Sequence, residues 1–157
     1  MFAETVFPKS SGVHAGPLAE GPIGVRHWIV THADFQAFVV QSKALSLTGF
    51  PANVHRYYGA AKLRSYFTGG GTTSCVFELG DANDPNGLVL STNCFGVTAL
   101  DTMLWGWTAA EAGGGPEAAY APELLLTVNA GATVDLLTAG EIELWVAFQL
   151  PANVGIR

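Results

Sequence analysis

Residues 142 to 150 constrain the fold of this chain more than any other stretch. There Ile142, Leu144, Val146, Phe148 and Leu150 alternate with Glu143, Trp145, Ala147 and Gln149. A period of two is what a strand with one buried face requires, because successive side chains point to opposite sides of the backbone. The wider segment from Glu123 to Pro151 carries a second strand pattern, Glu123 to Asn129, and a Gly- and Thr-rich corner between the two. The sequence therefore predicts a closing hairpin of Glu123 to Asn129 with Val134 to Leu150, bent at Gly131 and Gly140. Such a pattern specifies a sheet and no reaction.

Upstream, short strand candidates recur between turn signals. Ile23 to Val40 is rich in β-branched and aromatic residues, and a turn at His32, Ala33 and Asp34 predicts two strands there. Ala44 to Leu47 continues one of them, and Gly49, Pro51 and Asn53 form a break. Ala61 to Phe67 and Thr73 to Leu79 read as strands flanking Gly69, Gly70 and Gly71, and Asn83 to Gly87 is a strong turn. Leu88 to Leu90 and Cys94 to Val97 read as short strands or edge pieces, whereas Thr98 to Trp107 is ambiguous, with Leu100, Met103 and Leu104 at near-helical spacing. Ala109 to Pro122 is a long loop by composition, the kind that usually serves as a functional surface. Residues 1–22, punctuated by Pro8, Gly12, Gly16, Pro17, Gly21 and Pro22, predict an extended N-terminal arm, with residues 23–157 as one domain. Eight or nine short strands and almost no helix predict an all-β protein, an antiparallel β-sandwich of jelly-roll type, with a closed barrel as the alternative.

Charge bounds the partners. Of 157 residues only 13% are charged, about half the usual share, while 49% are hydrophobic. So few charges coat a free monomer poorly, and copies of the chain or a partner are expected to cover part of its surface. No Lys or Arg occurs between Arg64 and Arg157, where ten of the acidic residues fall, so that half is unsuited to nucleic-acid phosphates. The cations Lys9, Arg26, Lys43, Arg56, Lys62 and Arg64 leave the N-terminal half to meet any acidic surface. No run has the length of a membrane helix, and the opening MFAETVFPKSS lacks the pattern of a signal peptide, so neither a membrane nor export is expected. Cys75 and Cys94 could pair, but two buried free thiols are the expectation for a chain made in the cytoplasm.

Catalytic signatures are missing from the sequence: it holds no nucleophile elbow, paired-carboxylate spacing or phosphate loop, so no enzyme and no cofactor is expected. His14, His27, His32 and His55 do not share a ligand spacing with either cysteine, and the oxygen-rich turn of Asp81, Asn83 and Asp84 lacks the acidic closure of a calcium loop. A structural corner is the better reading of that turn. Tyr57, Tyr58, Trp105 and Trp107 are different, because adjacent or alternating aromatics cannot all enter one core. Core packing, a protein interface and a sugar-stacking platform stay open for them.

Several of these segments together resemble a known group. The turn Phe50-Pro51-Ala52-Asn53, then Tyr66-Phe67-Thr68-Gly69-Gly70-Gly71, then Leu79-Gly80-Asp81 with Asp84-Pro85 and Gly87-Leu88, is similar to small virion proteins of tailed bacteriophages. The ending, Leu137 to Val146 followed by Leu150-Pro151, looks like their terminal strand, and the resemblance spans residues 45 to 151. It implies a capsid cement or decoration protein made in the host cytoplasm, forming a homo-oligomer, often a trimer, on the capsid exterior where major capsid protein subunits meet. On that footing Phe2, Val6 and Phe7 would anchor the arm on a neighbour. Tyr57, Tyr58, Trp105 and Trp107 would add apolar contact, and Lys9, Arg26 and Arg56 would meet acidic capsid surface. A tail or tail-tip protein that grips carbohydrate is the competing expectation.

Overall fold

The alternation seen in the sequence becomes two stacked layers. The computed structural model describes residues 3–6, 23–51, 54, 56–96, 98–106 and 121–150. Among them lie nine strands: β1 (Ala3–Val6), β2 (Ile23–Thr31), β3 (Ser42–Ser46), β4 (Arg56–Thr68), β5 (Cys75–Gly80), β6 (Val89–Asn93), β7 (Met103–Gly106), β8 (Glu123–Val128) and β9 (Ala139–Gln149). One sheet has the order β1-β2-β9-β4-β7 and the other β3-β8-β5-β6, with every pairing antiparallel. From β2 onward the chain changes sheet at every step except β5 to β6, the kind of crossing that Greek-key sandwiches make.

Register explains the core. Leu144 lies opposite Trp28 on β2 and Ala61 on β4, and Ile142 lies opposite Val30 and Leu63. In the second sheet Leu124 faces Leu79 and Leu126 faces Phe77. All ten of these side chains are fully buried between the layers. Burying each large one contributes about 1.5–3 kcal/mol. At one end Phe50 closes the sandwich, its ring 5.2 Å from Tyr57, 5.6 Å from Trp28 and 5.7 Å from Phe148. At the other end Gly140 sits at φ 136°, and a Cβ there would lie 2.3 Å from the Phe67 ring, so only glycine lets β9 start beneath that ring.

Five expectations need correction. Ile23 to Val40 forms one strand and then a 3-10 turn, His32–Phe35, because the Asp34 carboxylate accepts from the Thr31 amide at 2.8 Å and its hydroxyl at 3.2 Å and ends the ladder. Residues around Ala44 do not continue β2 but form β3 in the other sheet. The segment 98–106 holds no helical turn: the Asp101 amide donates to Leu63 at 2.9 Å, and residues 103–106 pair with β4. Part of the region read as an unpacked arm, Ala3–Val6, is a strand paired with β2.

The largest correction concerns the closing hairpin, since β8 and β9 lie in different sheets. The connection between them is long and fixed by its own bonds. Asn129 accepts from the Thr73 amide at 2.6 Å through its side chain, and a 3-10 turn, Val134–Leu136, buries Val134. That corner carries the chain across the sandwich, where a two-residue loop would have folded it back.

Candidate interaction face

On β9 the residues between the core positions point outward, and the register gives them neighbours. Trp145 lies opposite His27 on β2 and Ala60 on β4; Glu143 lies opposite Ile29 and Lys62. The His27 ring stacks on Trp145 with centroids 5.1 Å apart and planes 16° apart. Its Nε2 meets Glu143 Oε1 at 2.9 Å, the other Glu143 oxygen lies 3.5 Å from Arg64 Nε, and Arg64 Nη1 reaches Asp101 Oδ1 at 2.5 Å. A line of polar contacts thus crosses β2, β9 and β4 and ends on the loop before β7.

The two ends of this line differ in strength. His27 and Glu143 side chains are only 14% and 19% exposed, whereas Arg64 and Asp101 are 43% and 62% exposed. The inner contact is shielded by the stacked indole, while the outer pair is wet and worth no more than about 1 kcal/mol. Asp101 holds φ 58°, a left-handed position that an aspartate tolerates better than most residues. The face is consequently stiff at its centre and adjustable at its rim. It offers an aromatic ledge, charges of both signs and the half-exposed Ile29, but no nucleophile beside a base.

The outward face of the other sheet is built differently. Ala44, Leu125 and Glu78 share one row across β3, β8 and β5, and Ser46, Glu123 and Gly80 share the next. The Ser42 and Thr127 hydroxyls bond at 2.8 Å. Lys43 is the sole cation of these four strands, and its Nζ lies 4.1 Å over the Phe38 ring. This face thus sets acidic and hydroxyl side chains beside Leu125 and Leu90, the latter 71% exposed on the edge strand β6.

The residues singled out from the sequence separate. Tyr57 belongs to the core, edge-on to Phe50, and burial pushes its phenol above the ordinary value, so it is not interface area. Tyr58 is half-buried on the outward side of β4, opposite Ala147. Arg56 lies on that same side opposite Gln149, and Trp105 takes the β7 position opposite Ala60. Arg26 shares the inward side of β2 with Trp28 and Val30, a poor place from which to meet another protein. Val6 ends β1 opposite Arg26, and Phe2, Phe7, Lys9 and Trp107 lie outside the described residues, as do His14, His55 and nearly all of the Ala109 to Pro122 loop.

The Asp81 turn is held by its own backbone: Oδ1 accepts from the Asn83 amide at 2.9 Å and the Asp84 amide at 2.7 Å. Among the described residues no group of three or more His, Cys, Asp or Glu is placed to hold a metal ion, and no helix is long and apolar enough to cross a membrane. Sequence reasoning missed His27, Arg64, Glu143 and Trp145 as a unit. The outward alternation of β9 contained two of them, and the missing signal was the β2–β9–β4 register.

No family profile and no curated protein matches the chain. A solved structure described as the cyanophage Pam1 capsid asymmetric unit contains a chain of similar fold, with a TM-score of 0.50 and 17% identity, over 90% of this chain and 94% of that one. The two chains therefore share a fold over most of the length of each.

Proposed function

We propose that this protein is a structural component of a bacteriophage capsid. In this reading it is a jelly-roll-like cement or decoration protein that binds the outer shell where major capsid subunits meet, acts as a trimer, and catalyses nothing. The observation that carries the reading is the fold likeness, over 90% of the chain, to a chain of a phage capsid asymmetric unit. Low charge supports it, since a chain with 13% charged residues gains by having its exterior covered. So does apolar exposure at one end of the sandwich, where Val39 is 76% and Leu136 51% exposed, and Val40 accepts a bond from Val134 at 2.9 Å. In a small oligomer the later contacts with a shell become intramolecular, so weak individual contacts suffice.

The test is reconstitution. Particles lacking this chain are mixed with the purified protein and imaged by electron cryomicroscopy. Ordered density at subunit junctions is expected, and Trp145→Ala is expected to lower its occupancy at least several-fold while leaving the circular dichroism spectrum unchanged. Bare shells at saturating protein would overturn the proposal. The stacked His27 and Trp145 rings also favour a second reading, a tail or tail-tip protein that grips sugar rings. Glycan-array binding lost on Trp145→Ala, with bare shells, selects it.

A further inference from the structure

Cys75 opens β5, and Cys94 follows the last residue of β6. The ladder between these strands pairs Val76 with Asn93 and Phe77 with Thr92, so one further step sets Cys75 directly opposite Cys94. The backbone agrees, because the Cys94 amide donates to the Cys75 carbonyl at 2.8 Å. Residues directly opposed in an antiparallel ladder have Cα atoms about 4.5–5.5 Å apart, inside the roughly 4.4–6.8 Å range that a disulfide spans. Both side chains are fully buried and both thiols are free. The neighbouring Cys75 side chain, together with burial, pushes the Cys94 thiol up.

We infer that Cys75 and Cys94 form a latent redox clip, reduced when the chain is made and closed to an intramolecular disulfide by peroxide once the protein leaves a reducing compartment. The chemistry balances in two steps. One thiolate attacks hydrogen peroxide, giving a sulfenic acid and, after proton transfer, water. The second thiol then displaces hydroxide from that sulfur, the S–S bond forms and a second water leaves. Two electrons pass from the cysteines to the peroxide. Because both sulfurs are buried and the Cys94 thiol is pushed up, closure is slow in the folded state and proceeds through transient opening of the turn at residues 94–96.

The clip matters because of where Cys94 sits. Its carbonyl accepts from the Phe67 amide of β4 at 2.9 Å while its own amide bonds β5, so this residue joins the two sheets. Closing the bond ties the edge strand β6 to β5 at the point where the layers meet. It encloses residues 75–94, a loop long enough to shift the unfolding equilibrium on the order of 100-fold toward the native state. The inference does not depend on the capsid reading, and it fails or holds on the isolated chain.

The test uses the full chain, fully reduced, then incubated with hydrogen peroxide at neutral pH. Intact mass under denaturing, non-reducing conditions is expected to lose the two thiol hydrogens. Peptide mapping should join Cys75 to Cys94, and the chemical-denaturation midpoint should rise and return on adding reductant. Cys75→Ala and Cys94→Ala should each abolish the mass loss; because either could weaken folding, the peptide map of the unaltered chain is the deciding readout. Thiols that stay free, oxidation that stops at sulfinic acid on one residue, or a midpoint that falls on closure would each overturn the inference.

Discussion

β9 carries two surfaces that obey different rules. Its inward residues, Ile142, Leu144 and Val146, are fully buried; the first two meet apolar partners on β2 and β4, and Val146 lies opposite Arg26 and Gly59. Its outward residues, Glu143 and Trp145, meet His27 and Arg64 through a ring stack, a hydrogen bond and an ion pair at a partly wet surface. The inward side is governed by volume and neutrality, since a filled interior tolerates neither extra atoms nor charge. The outward side is governed by pairing, and water can replace much of what is removed. One strand thus separates what makes the fold from what makes the surface.

Breaking the inward side should cost most. Gly140→Ala forces a Cβ against the Phe67 ring at a φ that side chains avoid. Steric overlap and backbone strain together should lower stability by about 3 kcal/mol or more, read as a drop in the urea midpoint. Next in size is a pH effect confined to the interior. The hydrogen bond to Cys75 and burial raise the Cys94 thiol, and burial raises the Tyr57 phenol, so the folded state favours both neutral forms. Stability from these groups is complete below their unfolded values, about 8.5 for the thiol and 10 for the phenol, and is lost as pH rises past them. Urea titrations of reduced protein should show stability declining as pH rises past these values, with the thiol's part absent in Cys94→Ala.

The outward side should yield smaller numbers. Glu143→Ala removes one partner each from His27 and Arg64 and should cost about 1 kcal/mol, with Glu78→Ala on the other sheet's face within about 0.5 kcal/mol of no effect. Double-mutant cycles with His27→Ala would sharpen the point by assigning the coupling to the inner pair. Equal costs for Glu143→Ala and Gly140→Ala would erase the distinction between the two sides.

How far these sides could be read from sequence follows from the same distinction. Period-two alternation located β9, strand patterns placed β8 and β5, and strand count with turn spacing pointed to the sandwich. Pairing was less legible, because alternation tells which side a residue faces and not which strand lies beside it. The supposed hairpin of β8 and β9 failed for that reason, and so did the grouping of Tyr57 with Tyr58, whose neighbouring positions send one ring inward and the other out. His27 and Glu143 are separated by 116 positions in the chain, so their contact had no local signature. Asp34 ended β2 through a side-chain bond that propensity does not record.

The strand order has a bearing on synthesis. β2 and β4 do not pair with each other; each pairs with β9, which lies between them. A ribosome must therefore deliver the final strand before the central ladder of the larger sheet can close, and the early segments wait with open edges until it arrives. Prematurely terminated chains would lack that middle rib and fail to lock. Folding of the larger sheet is thereby gated by its own topology.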